Sequence, residues 1–199
     1  MWEKIRTIPR MAVFHNKTFY KTAAIVVLLL GICICAYIGS RKDEVAEVGN
    51  MYGDRKLPIY CVETEEKVIA LSFDAAWGNE DTQEILDILE RQDVKVTFFM
   101  TGGWVEAYPE DVKKIYEAGH ELGNHSENHL NMSELSMSEI EEEIMLVHNR
   151  VKELTGYDMC VFRPPYGDYD NDVITGVENC GYYAIQWDVD TLYIKVMTI

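Results

Sequence analysis

Short apolar runs alternate with helix-patterned stretches along the C-terminal two thirds of the chain, and this alternation narrows the fold more than any other feature. "LPIYCVET" (57–64) and "KVIALSFD" (67–74) read as strands. "NEDTQEILDILERQ" then carries acids early, with Ile85, Ile88 and Leu89 at helical spacing and Asn79 as the expected N-cap. Val94–Met100 is rich in β-branched and aromatic residues and predicts a strand. "PEDVKKIYEAG" opens on Pro109 and closes on Gly119, as a short helix does. "HELGNH" predicts a short strand that runs into a turn. The longest helix is expected over "SMSEIEEEIMLVHNRVKELTG": Ser136 and Glu139 make a capping box, Ile140, Ile144, Val147, Val151 and Leu154 form one face, and Gly156 supplies the stop. A strand near "CVFR", a helix near "NDVITGVENCG" and a strand "YYAIQWDV" follow. Strands joined through helices need right-handed crossovers and a largely parallel sheet, so the class is α/β.

The charge is unevenly distributed. The formal net charge is -16, yet residues 1–21 carry Lys4, Arg6, Arg10, Lys17 and Lys21 against Glu3, which leaves the remainder at -20. A domain this acidic repels a phosphate backbone, so nucleic acid is excluded as a partner. "TAAIVVLLLGICICAYIG" (22–39) is uncharged and about long enough to span a bilayer. Its basic flank places residues 1–21 in the cytoplasm and the main domain outside. An uncleaved single-pass anchor is the favoured reading, and a cleaved signal peptide the rival. Residues 40–56 read as a polar linker and residues 57–199 as the folded domain. Cys33 and Cys35 lie in the apolar run. Cys61, Cys160 and Cys180 are too irregularly spaced for a zinc ribbon, and read as buried small hydrophobes with one disulfide left open.

Several residues could carry chemistry. Asp74 stands at the end of a predicted strand, in the turn before a helix, a frequent position for reactive groups. His125 and His129, in "HSENH", are four apart, so one helical turn would aim both imidazoles at a single ion; a chance pair on a solvated helix gives the same pattern. Ser126 in the second position separates the stretch from the H-E-x-x-H metalloprotease motif. In "FRPPYGDYD", two prolines hold Arg163 and Tyr166 in fixed relation, and an arginine fixed beside a carboxylate keeps that carboxylate ionised. His15, His120 and His148 read as surface or structural histidines.

Taken in order, SFD, H-S-x-x-H, R-x-P-Y and W-D-V-D, spread from Lys67 to Leu192, resemble the NodB-type polysaccharide deacetylases, carbohydrate esterase family 4. "FDAAWGN", "NHSENH" and "FRPPYGDYDN" are most similar to the PdaB-like, sporulation-associated branch of that family. The resemblance implies a distorted (β/α) barrel with its site at the C-terminal ends of the strands. It also implies a divalent ion, commonly zinc, that polarises water and an acetamide carbonyl. Carried over by position, Asp74 is the general base, His125 and His129 are metal ligands, Arg163 orients Asp74, and Tyr166 supplies an oxyanion N–H through its backbone. The family's third metal ligand is a second Asp in its first motif, and here that position is Ala75, so zinc is expected to be weakly held. After "QWDVDTL" the family pattern stops, and no residue beyond Ile199 supplies the terminal acid histidine. The domain is therefore expected to be C-terminally incomplete, a truncated reading of a longer gene.

These readings converge on a membrane-anchored polysaccharide deacetylase whose domain faces the cell wall, with an N-acetylated, peptidoglycan-like glycan as its partner. The alternative is a degenerate homologue that binds glycan or a protein without turnover.

Overall fold

A computed structural model of the chain describes residues 51–190. The expected cytoplasmic segment (1–21), the expected span (22–39), most of the expected linker and residues 191–199 lie outside the described residues. Among the described residues no helix is long and apolar enough to cross a membrane.

The chain enters as an antiparallel hairpin, β1 (Met51–Tyr52) and β2 (Arg55–Lys56), where the composition predicted linker. Strand β3 (Ser72–Ala75) leads to α1 (Thr82–Gln92), then β4 (Thr97–Met100), α2 (Gly102–Ala107), α3 (Pro109–Glu117) and β5 (Glu121–Asn124). A single 3-10 turn, Met132–Glu134, precedes α4 (Met137–Thr155). Then come β6 (Val161–Phe162), a second 3-10 turn (Pro165–Gly167), α5 (Asn171–Asn179) and β7 (Tyr183–Ala184). The five strands β3 to β7 form one parallel sheet in sequence order, as the alternation predicts. The register sets Ala75 against Met100, Met100 against Asn124, and Asn124 against Phe162, so the C-terminal strand ends form one rim.

Helix α4 confirms its sequence pattern. Ser136 and Glu139 close the capping box, Ile140, Ile144, Val147 and Val151 are fully buried, and Gly156 ends the helix in the left-handed region at φ 75°. Helix α1 is rotated from its expected phase: Leu86 and Leu89 are buried, whereas Ile88 is 42% exposed. Its N-cap is Asp81 rather than Asn79, which lies two residues earlier and donates its amide to Asp111 Oδ2 (2.6 Å). Leu57–Thr64 is not a strand; only Ile59 bridges to Ile185, alongside the end of β7. Helix α2 was not expected, since two glycines obscure its pattern. It forms because Trp104 and Val105 bury themselves and Thr101 Oγ1 caps the Trp104 N–H. All three cysteines are free; Cys61 and Cys160 are exposed rather than buried as expected, whereas Cys180 is half-buried and packs against the core.

Candidate functional site

The rim gathers the sequence-predicted residues. Asp74 lies in β3, Arg163 directly follows β6, and Arg163 Nη1 donates to Asp74 Oδ1 at 2.6 Å. In a flat sheet, β3 and β6 would stand about 14 Å apart, three inter-strand spacings. The contact therefore requires the sheet to curl about its strand axis, as it does in barrel-type folds. Arg163 is 5% exposed and its remaining contacts fix its plane: Nη2 donates to Ser72 Oγ (2.8 Å), and the guanidinium lies 4.0 Å from the Phe99 ring centroid. Ser72 shares a strand face with Asp74, two residues away, and so meets the same guanidinium.

His125 directly follows β5 and is buried. Its Nδ1 lies 2.6 Å from the Arg163 carbonyl oxygen, which can only accept, so Nδ1 carries the proton. That leaves the lone pair on Nε2, 3.8 Å from Asp74 Oδ2. Burial pushes the His125 imidazole below the usual histidine range, against the pull of Asp74, and burial also lowers His129. Both rings are thus held toward the neutral, lone-pair-bearing form.

His129 does not reach this site along a helical turn. Residues 125–131 are a loop in which Ser126 (φ 65°) and His129 (φ 54°) both adopt left-handed backbone. Three sets of side chains hold that shape. Asn124 Oδ1 accepts from Ser126 N–H (3.0 Å), and Ser126 Oγ accepts from His129 N–H (3.0 Å). Glu143, buried on α4, accepts from the Asn128 N–H (2.8 Å) and from its side-chain amide (2.5 Å). Glu127 forms a bidentate pair with Arg150, which also donates to the Gly102 carbonyl. The resulting loop sets the two imidazoles edge to face at 5.0 Å, and His129 lies 4.6 Å from the Tyr166 ring. Tyr166 itself is exposed and takes φ 59° in the turn after Arg163.

The sequence placed Asp74, His125, His129, Arg163 and Tyr166 together, and the structure brings all of them to one rim. It missed Ser72, Glu143, Asn128 and the Glu127–Arg150 pair. Glu143 sits in the run "EIEEEI", where composition reads as a solvated helix face. Only its heptad-like position beside Ile144 marks it as inward-facing.

Two imidazoles, one with its second nitrogen donating to a backbone carbonyl, are what a divalent ion takes from histidine. His129 Nδ1 is buried without a hydrogen-bond partner. A catalytic zinc needs three protein ligands, however, and the side chain beside Asp74 is the Ala75 methyl. Among the described residues no group of three or more His, Cys, Asp or Glu side chains is disposed to hold an ion. The residues present do not fit a three-ligand metal centre.

A curved parallel sheet with an Asp–Arg–His rim defines an α/β protein with its site at the strand ends. The family profile described as Polysaccharide deacetylase matches residues 62–185, and the chain belongs to that family. It is similar to the peptidoglycan-N-acetylmuramic acid deacetylase PdaA of Bacillus subtilis, 34% identical over 131 residues, which are 65% of this chain and 50% of PdaA. The solved structure of PdaA, a family 4 carbohydrate esterase, superimposes with a TM-score of 0.67 at 32% identity, over 70% of this chain and 60% of that one. The chain is 35% identical over 156 residues to the peptidoglycan-N-acetylglucosamine deacetylase PgdA of Listeria monocytogenes, covering 75% of this chain and 33% of PgdA. It is also similar to BA3943 of Bacillus anthracis, a family 4 pseudoenzyme, with a TM-score of 0.65 and 36% identity over 67% of this chain and 48% of that one. A mutant of BA3943 is described as having restored enzymatic activity. The chain spans about half the length of the curated relatives it matches, 57% of one and 42% of another.

Proposed function

We propose that this protein binds an N-acetylated cell-wall glycan through the rim around Asp74, with hydrolysis of the acetamide strongly impaired. Ala75 carries this reading. It removes the one carboxylate that would join two imidazoles into a metal centre, while leaving the Asp74–Arg163 and His125 geometry intact. The glycan follows from the family and from relatives named for peptidoglycan deacetylation. The similarity to a family pseudoenzyme supports binding without turnover. In this reading the uncharged run 22–39 anchors the chain as a single-pass protein with residues 1–21 cytoplasmic. The domain is of the distorted (β/α)-barrel type, lies outside the cell and belongs to the sporulation-associated PdaB-like branch. Any zinc bound by His125 and His129 is weakly held. A second reading, slow deacetylation, is favoured by the intact pairing of Asp74 with Arg163.

The test is to incubate the purified chain with N-acetylated peptidoglycan, then measure co-sedimentation and released acetate in the same samples. Binding with acetate at the level of a protein-free control is expected. Sustained acetate release favours the second reading, and absence of binding overturns both.

A further inference from the structure

Trp77 is 77% exposed, yet the turn that carries it is fastened at Ala75, Gly78 and Asn79. Thr101 N–H donates to the Ala75 carbonyl (3.1 Å), and the buried Trp104 donates its indole N–H to the Gly78 carbonyl (2.6 Å). The Asn79 amide donates to Asp111 (2.6 Å). Gly78 takes φ +63°, a left-handed conformation that turns the chain at little cost and leaves Trp77 projecting. An exposed indole on a rigid turn is presented rather than left over: ordering it on binding costs little conformational entropy. Its ring lies 5.0 Å from His129, inclined at 62°. The same imidazole also meets Tyr166, 67% exposed, at 4.6 Å and 76°. Two exposed aromatic rings therefore both contact His129 at the edge of the Asp74 rim.

We infer that Trp77, with Tyr166 against the same imidazole, is a stacking platform for one pyranose ring of an N-acetylated glycan, next to the residue presented to Asp74 and His125. This rests on the glycan reading above and goes beyond it by assigning a subsite. A pyranose has one face of C–H groups, apolar and nearly flat, while its hydroxyls and acetamide point outward. Such a face fits a planar indole, whose electron-rich surface attracts the C–H hydrogens. A nucleobase would stack equally well, but the net charge of -16 repels the phosphates attached to it.

The test is calorimetric titration of the full chain, in detergent solution, with tetra-N-acetylchitotetraose as the probe. Saturable binding is expected for the wild type, with an affinity loss of about tenfold or more for Trp77→Ala. Trp77→Phe should stay within about threefold of wild type and Trp77→Leu should resemble Trp77→Ala, because a planar face rather than mere apolarity is needed. Melting temperatures check that each variant is folded. If the wild type binds and Trp77→Ala or Trp77→Leu binds equally well, the platform is overturned while the glycan reading stands. If neither the tetrasaccharide nor peptidoglycan binds the wild type, the glycan reading fails and the platform with it. Loss of a protein ligand in Trp77→Ala with unchanged tetrasaccharide affinity also overturns the platform, in favour of a protein-docking surface.

Discussion

Replacing Glu143 with alanine should loosen the loop that carries both histidines. Glu143 is 7% exposed and makes two bonds with one partner, accepting from the Asn128 backbone N–H at 2.8 Å and from its side-chain amide at 2.5 Å. Hydrogen bonds to a carboxylate contribute roughly 1.5–3 kcal/mol each. The two share a donor residue and are not independent, so the combined loss is about 3 kcal/mol. For a folded unit of this size that corresponds to a fall of roughly 10 °C in melting temperature. Glu143→Gln keeps one carbonyl acceptor but turns an N–H toward the other donor, and should lose about half as much. Glu142→Ala, on the exposed side of the same helix, should stay within about 0.5 kcal/mol of wild type. Urea denaturation of the three variants reads these differences directly. If Glu143→Ala matched Glu142→Ala, the loop would not depend on this carboxylate and the positioning argument would fail.

Other perturbations follow from the same geometry. A β-carbon at Gly123 would lie 2.5 Å from Cδ1 of the buried Phe99 ring, on which Arg163 stacks. Gly123→Ala should therefore cost about 2–3 kcal/mol in urea melts, and an unchanged midpoint would show that the ring moves freely. His120 is buried, accepts weakly from Val96 N–H, and is lowered first by burial and then by Lys95. A histidine depressed in the fold leaves stability intact above its ordinary value near 6.5, and that stability falls with pH as the unfolded chain takes the proton first. His120→Asn should flatten part of the decline measured between pH 7 and pH 5; an unaltered slope would assign the decline to other groups.

The legible parts of this fold were those with a local cause. The capping box at Ser136, the stop at Gly156 and the inward face of α4 follow from spacing alone. The phase of α1 was misjudged because Ile85, Leu86, Ile88 and Leu89 offer overlapping apolar stripes, and only packing against the sheet chooses between them. The His125–His129 spacing pointed to the right pair with the wrong backbone. Its left-handed residues are held by the nearby Asn124 and Ser126 side chains together with Glu143 and Arg150, which lie 15 and 23 residues from their loop partners. The Asp74–Arg163 bond spans 89 residues and depends on sheet curvature, so it was reachable through the family resemblance but not through local pattern.

Position 75 decides the central claim. Zinc should be titrated calorimetrically into the wild type, Ala75→Asp, and each of these carrying His125→Ala. Two imidazoles without a third ligand should bind weakly, and a carboxylate at position 75 should tighten binding at least about tenfold. His125→Ala should abolish binding in both backgrounds. Equal zinc affinity with alanine or aspartate at position 75 would contradict the account, because it would mean that another group already completes the site.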